Sequence, residues 1–168
     1  QETQVLHCAK IIKKKFPNKL LFSGGVNAKS RSSIFFNAGF DVIFTSESEN
    51  FIQQIAKILQ KGSKDFSSVG KIYFKSKHGK IVDNSNFGEI VWELDKLPIP
   101  AWNLLPNKRY WKIGRPHGGK VLPGKELRYA SLMTSRGCPF ECSYCHIAEE
   151  IDGSKSGAIG RFRIKSDE

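Results

Sequence analysis

The sequence predicts an α/β protein on three observations. Short apolar runs alternate with helical patterns over roughly the first 60 residues, a two-residue-period hairpin pattern follows, and a last apolar run leads into a cysteine-rich loop. Strands alternating with amphipathic helices imply a doubly wound parallel sheet.

Each element has a local reason. A helix is expected from about Glu2 to Lys15, ending before Pro17, with Val5, Ala9, Ile12 and Phe16 at helical spacing. Cys8 lies in that stretch and reads as an ordinary buried helix residue. Leu20, Leu21 and Phe22 form a short strand that ends in Ser23, Gly24 and Gly25. A second helix follows, capped by Asn27 and closed by Gly39. Val42, Ile43 and Phe44 make the next buried strand. Ser46 and Glu49 have capping-box spacing for a third helix, in which Phe51, Ile52, Ile55, Ile58 and Leu59 share one face. Two strands alone are visible, so residues 1–62 read as the carboxyl-terminal half of a doubly wound, Rossmann-like domain.

From Gly62 the pattern changes. Lys71 to Lys75 and Lys80 to Val82 flank Lys77, His78 and Gly79 as a β-hairpin, which places His78 in the turn. Ile90, Val91 and Trp92 suit a third strand. Five prolines from Pro98 to Pro123, with Gly114, Gly118, Gly119 and Gly124, mark an extended connector over Leu97 to Gly124, so residues 63–125 form a β-rich linker. Arg128 to Thr134 then reads as a strand opening a last region, residues 126–168.

Composition bounds the function classes. The 168 residues carry 27 Lys plus Arg against 16 Asp plus Glu, a net charge of +11, and 39% are hydrophobic, enough for a core. The basic residues are dispersed, which reads first as a solvated surface. Arg109, Tyr110, Trp111, Lys112 and Arg115 interleave charge with aromatics, as a nucleic-acid surface would. No apolar run approaches the ~18 residues of a membrane helix, and the first residues lack a signal-peptide core. Four cysteines are too few for a disulfide-framed secreted scaffold of this length, so a cytoplasmic location is expected. The chain starts at Gln1 and its only Met is Met133, so a piece or processed product of a longer chain is expected.

Cys138, Cys142 and Cys145 fall within eight residues, spaced C-x3-C-x2-C. Zinc commonly takes four ligands in two separated pairs, and His146 is too close to Cys145 to turn back easily onto the same ion. Cys142 to His146 also matches the C-x-x-C-H haem attachment pattern, which leaves Cys138 unused. Thioredoxin-like redox chemistry needs two thiols and makes the third surplus. An iron-sulfur cubane uses all three thiolates and leaves one iron open for a substrate or cosubstrate.

The segment Thr134 to His146, T-S-R-G-C-P-F-E-C-S-Y-C-H, resembles the cluster loop of radical S-adenosylmethionine (SAM) enzymes. Upstream, Leu20 to Glu49 is similar to the end of the cobalamin-binding domain that precedes the radical domain in one subgroup. Pro98 to Pro106, P-I-P-A-W-N-L-L-P, resembles the linker joining the two. The resemblance implies that Cys138, Cys142 and Cys145 ligate a 4Fe-4S cluster and that Tyr144 lies against the adenine of SAM. It implies that SAM chelates the open iron and is reductively cleaved to a 5′-deoxyadenosyl radical. It further implies that Ser23, Gly24, Gly25 and Glu47 contact cobalamin, although the glycines also suit a plain strand-to-helix turn and Glu47 and Glu49 a helix start. His146 is assigned to the loop, without ligation. The activity implied is methylation of an unreactive carbon in a small molecule by the longer parent, with an electron donor such as flavodoxin or ferredoxin; the present residues are expected to be inactive alone. No D-x-H-x-x-G pattern occurs, so either cobalamin binds without a protein axial ligand or that half lies outside this sequence. Asn103 stands where the linker commonly has Asp. The last region would be only the start of a (β/α) radical SAM barrel, since 168 residues fall short of the roughly 250 of a full barrel. A reading from another class is a basic nucleic-acid-binding module with a structural zinc.

Overall fold

The structure, a computed structural model, describes residues 1–113, 128–140, 142–145 and 162–166. The chain divides into two compact units, Gln1–Trp92 with Gly137–Phe162, and Glu93–Arg136 with Arg163–Glu168.

In the first unit the order is α1 (Glu2–Lys15), β1 (Phe22–Ser23), α2 (Val26–Ser30), α3 (Ser32–Ala38), β2 (Val42–Phe44), α4 (Glu49–Gln60), β3 (Ile72–Lys75) and β4 (Ile81–Asp83). The strands form one sheet in chain order. Register follows from alternation. Val42 and Phe44 face a core built with Phe51, Ile55, Phe66, Val69, Ile72, Phe74 and Ile90. Ile43, between them, faces the opposite core of Ala9, Ala28, Phe35, Phe36, Ala38 and Phe40. Helices therefore cover both faces, α4 on one and α1 to α3 on the other.

The α/β class holds, but the sheet is mixed rather than parallel. β1 pairs parallel with β2 (Phe22↔Val42), whereas β2–β3 (Ile43↔Tyr73) and β3–β4 (Phe74↔Val82) are antiparallel. The cause lies after α4. Residues 61–71 carry the chain back to the carboxyl end of β2, where the Thr45 N–H donates to the Lys71 carbonyl at 2.9 Å, so β3 enters the sheet from that end. Buried Asn84 fixes this return: its side-chain amide donates to the carbonyls of Ser67 at 3.0 Å and Val69 at 2.9 Å.

Helix α1 is rotated from the face its apolar spacing predicts. Ala9 is buried, with Leu6 and Lys13 half-buried beside it, while Val5, Ile12, Phe16 and Cys8 are exposed. An ion pair accompanies the rotation. Lys13 reaches Asp41 at 2.6 Å by passing over Gly39, where a Cβ would stand 2.6 Å from Lys13 Cγ. Gly39 closes α3 in the left-handed region at φ 108°, the expected role of a glycine after a helix.

Other local expectations shift. The helix expected from Asn27 to Gly39 breaks into α2 and α3 at Arg31, and α2 starts from Gly25 without an Asn27 cap. Helix α4 starts at Glu49 with Ser48 in the capping position and no side-chain capping bond, so Ser46 and Glu49 form no capping box. Ile52 is exposed, leaving Phe51 and Ile55 as the buried contacts of α4. Ile90 is buried, yet residues 90–92 form no strand.

The second unit holds 3-10 turns at Leu94–Lys96 and Trp102–Leu104, helix α5 (Asn107–Ile113), and the pair β5 (Ser135–Arg136) and β6 (Arg163–Ile164). Its strand at 135–136 replaces the one expected over Arg128 to Thr134; residues 128–133 stay outside the pairing, and the Thr134 carbonyl accepts the Lys165 N–H at 2.8 Å. The linker is thus partly helical. Trp111 donates through Nε1 to the Tyr129 carbonyl at 2.8 Å, and the Arg128 guanidinium lies 5.8 Å above its ring, so the indole is engaged within this unit. No helix among the described residues is long and apolar enough to cross a membrane.

Candidate functional site

Two sets of residues are candidates for a functional site. The first sits at the carboxyl ends of the parallel strands, where open α/β sheets bind ligands. β1 ends at Ser23 and passes through Gly24 and Gly25 into α2; β2 ends at Phe44 and passes through Thr45, Ser46, Glu47 and Ser48 into α4. The two glycines differ. Gly25 has φ 88°, a conformation side chains rarely adopt, and opens onto empty space. A Cβ at Gly24 would meet Phe44 Cβ at 3.5 Å, an ordinary contact, so Gly24 is not sterically required.

Sequence reasoning missed the most informative groups of this crevice. Thr45 is 5% exposed, and its Oγ1, like the buried Oγ of Ser46, has no hydrogen-bond partner. A buried hydroxyl left unpaired costs about 1–3 kcal/mol, so two adjacent ones are expected to be satisfied by something bound there. The signal was legible as T-S at the end of an apolar strand, where hydroxyls succeed β-branched and aromatic residues. Glu47 is half-buried in the same turn, and Ser23 half-buried at the end of β1.

The second set is the cysteine loop. Gly137 turns the chain at φ 79°, and the Cys145 N–H donates to the Cys142 carbonyl at 2.9 Å, folding the last three-residue step into a turn. Cys138, Cys142 and Cys145 are half-buried free thiols. Tyr144 is 91% exposed and Phe140 is 68% exposed, so both rings project from the loop. Among the described residues no group of three or more His, Cys, Asp or Glu side chains is gathered closely enough to hold a metal ion. The loop thus supplies a thiol donor set and a tight turn, with the three sulfurs not converged. His146 and Arg115 lie outside the described residues.

No family model and no solved structure matches the chain. Over 105 residues, 62% of its length, it is 31% identical to an uncharacterized methyltransferase, PH0819, of Pyrococcus horikoshii. The chain spans about a fifth of that relative, 20% of its length.

Proposed function

We propose that this chain is part of a radical SAM methyltransferase that uses a 4Fe-4S cluster and cobalamin to methylate an unreactive carbon of a small molecule. The observation that carries the reading is the loop of three free thiols at C-x3-C-x2-C spacing, closed by the Cys145 to Cys142 turn. Similarity to a methyltransferase supports the reaction class.

In this reading Cys138, Cys142 and Cys145 would hold the cluster, and ligation would draw the sulfurs together, since metal binding and local folding are coupled. A cluster held there would supply the electron, drawn from a flavodoxin- or ferredoxin-like donor, for reductive cleavage of SAM. Tyr144, free of protein packing, offers an aromatic face to the adenine of SAM. The donor set fits: iron takes thiolates, and these thiols are not tied up in disulfides.

The crevice fits cobalamin by a different criterion. Thr45 and Ser46 hold buried hydroxyls that require partners, and Gly25 leaves open space beside them, so the corrin side chains or nucleotide tail would meet donors and acceptors. Ser23 and Glu47 border the same turns, and Gly24 allows close backbone approach without being essential to it. Residues 1–62 would then belong to the cobalamin domain, 63–125 to the linker and 126–168 to the start of the radical domain.

Equilibrium dialysis with hydroxocobalamin, on this chain and on its longer parent, tests the crevice. Retention that is lost in Thr45→Val with Ser46→Ala supports it. Retention unchanged by that pair, or none by the parent, rejects cobalamin and leaves radical chemistry at the cysteine loop to be judged by iron binding.

A further inference from the structure

The first unit has a second concavity, at the end of the sheet opposite Thr45 and Gly25. Leu20 precedes β1, Asp41 precedes β2, and Lys75 closes the antiparallel β3, so all three stand at the amino ends of the parallel strands. These residues border a cavity of about 610 Å³, within the size range of small-ligand sites. The proposed function makes no use of it.

Its floor and its rim differ in chemistry. Half-buried Leu20, just before β1, and Val82, in β4, supply apolar surface, backed by the buried rings of Phe66 and Phe74. Lys64 and Lys77 stand exposed at its rim with His78, whereas the Lys75 ammonium donates to the Phe36 carbonyl at 3.5 Å, on the sheet face shared by Ile43 and Tyr73. Two carboxylates are also present, and both are already engaged. Asp41 takes the Lys13 ammonium at 2.6 Å and the Leu21 N–H at 2.8 Å on the same oxygen, Oδ2. Asp65 accepts the Ser67 N–H at 3.0 Å; that bond, then one from the Ser67 hydroxyl, and lastly the charge of Lys77 hold its carboxyl below the usual carboxylate range. Counting four lysines against two aspartates leaves the lining two positive charges in excess with His78 neutral. Neither Lys64 nor Lys77 makes an ion pair with a carboxylate among the described residues.

We propose that this amino-end cavity binds a small organic dianion, an apolar or aromatic body carrying a phosphate monoester, with the body on half-buried Leu20 and Val82 and the phosphate between Lys64 and Lys77. The arrangement sets apolar surface beside a rim of net positive charge, so neither half of such a ligand alone satisfies it. The site is independent of the carboxyl-end crevice and of the cysteine loop.

The test uses the ¹⁵N-labelled full chain, titrated with 1-naphthyl phosphate, 1-naphthol or inorganic phosphate, with amide shifts mapped by residue. Saturable shifts centred on Leu20, Phe66, Phe74 and Lys77 are expected with 1-naphthyl phosphate, with each fragment binding at least about tenfold more weakly. The paired variant Lys64→Gln, Lys77→Gln changes exposed side chains; its affinity is expected to fall about tenfold or more while shifts elsewhere keep the folded pattern. Binding of naphthol as tight as that of its phosphate, affinity unchanged in the paired variant, shifts centred on Trp102 and Trp111 instead, or no saturable shift with millimolar ligand would each overturn the proposal.

Discussion

Asn84 is the residue on which the return of the chain from α4 into β3 depends, and its substitution makes a quantitative test. Its side chain is buried, and its amide nitrogen satisfies the carbonyls of Ser67 and Val69 at 3.0 and 2.9 Å, with a long contact of 3.5 Å to that of Phe66. Each intramolecular bond contributes about 0.5–1.5 kcal/mol net, and a buried carbonyl left unpaired costs about 1–3 kcal/mol. Asn84→Ala is therefore expected to lose about 2–3 kcal/mol. Asn84→Asp keeps the shape but, ionised, turns acceptors toward acceptors, so a loss of about 3 kcal/mol or more is expected at neutral pH. That carboxyl would titrate above its unfolded value, because only its protonated form can donate to a carbonyl. The penalty should shrink as pH falls through the raised folded value and be largest above it. Urea unfolding followed by circular dichroism measures the effect, a midpoint shift on the order of 1–2 M at an m of about 1–3 kcal/mol/M. Asn86→Asp, the same change at an exposed neighbour, should stay within about 0.5 kcal/mol. Equal shifts at positions 84 and 86, or a penalty at 84 independent of pH, would refute the reasoning.

Three further outcomes follow from the geometry. Gly25→Ala should cost about 1–2 kcal/mol because of its φ of 88°, whereas Gly24→Ala should be near neutral; urea midpoints for the two separate conformational need from habit. Phe51→Ala removes a ring 1% exposed in the larger core and should cost about 3–5 kcal/mol by the same assay. Asp65, followed by carboxyl carbon NMR, should titrate below the ordinary carboxylate range, and Ser67→Ala should recover only part of the shift because the backbone N–H bond remains the larger cause. Its contribution to stability is then present above the unfolded pKa and is lost as pH falls through the depressed folded one.

The parts of the fold legible in the sequence are those set by local pattern. Val42 to Phe44, the 72–75 and 81–83 hairpin strands and α1 follow from alternation, turn residues and Pro17, and the structure places them within a residue or two of expectation. What failed depends on partners distant in sequence. The buried face of α1 carries Lys13, which pairs with Asp41 28 residues away, whereas periodicity favoured the more apolar neighbouring stripe. The direction of β3 is fixed by Thr45 with Lys71 and by Asn84, which no hydropathy pattern encodes. Ile90 reads as a strand residue because burial is visible in sequence, whereas the pairing that defines a strand is not. At the crevice, Gly25 was legible as a turn glycine, but the unpaired hydroxyls of Thr45 and Ser46 emerge only once the surrounding donors and acceptors are in place. The C-x3-C-x2-C spacing lies within eight residues and is visible in the sequence alone, whereas whether the three sulfurs meet depends on the fold of the loop.

The central claim, a cluster held by three thiolates with one iron left open, is tested most directly by anaerobic iron and sulfide analysis of the reconstituted chain before and after mild oxidation. About four irons and four sulfides per chain are predicted, with broad absorption near ~400 nm and release of a single iron on oxidation. These features should vanish in the Cys138→Ala, Cys142→Ala, Cys145→Ala variant and survive in Cys8→Ala, whose thiol is exposed on α1. Stoichiometric zinc in place of iron and sulfide, or a cluster that persists in the triple variant, would contradict the account.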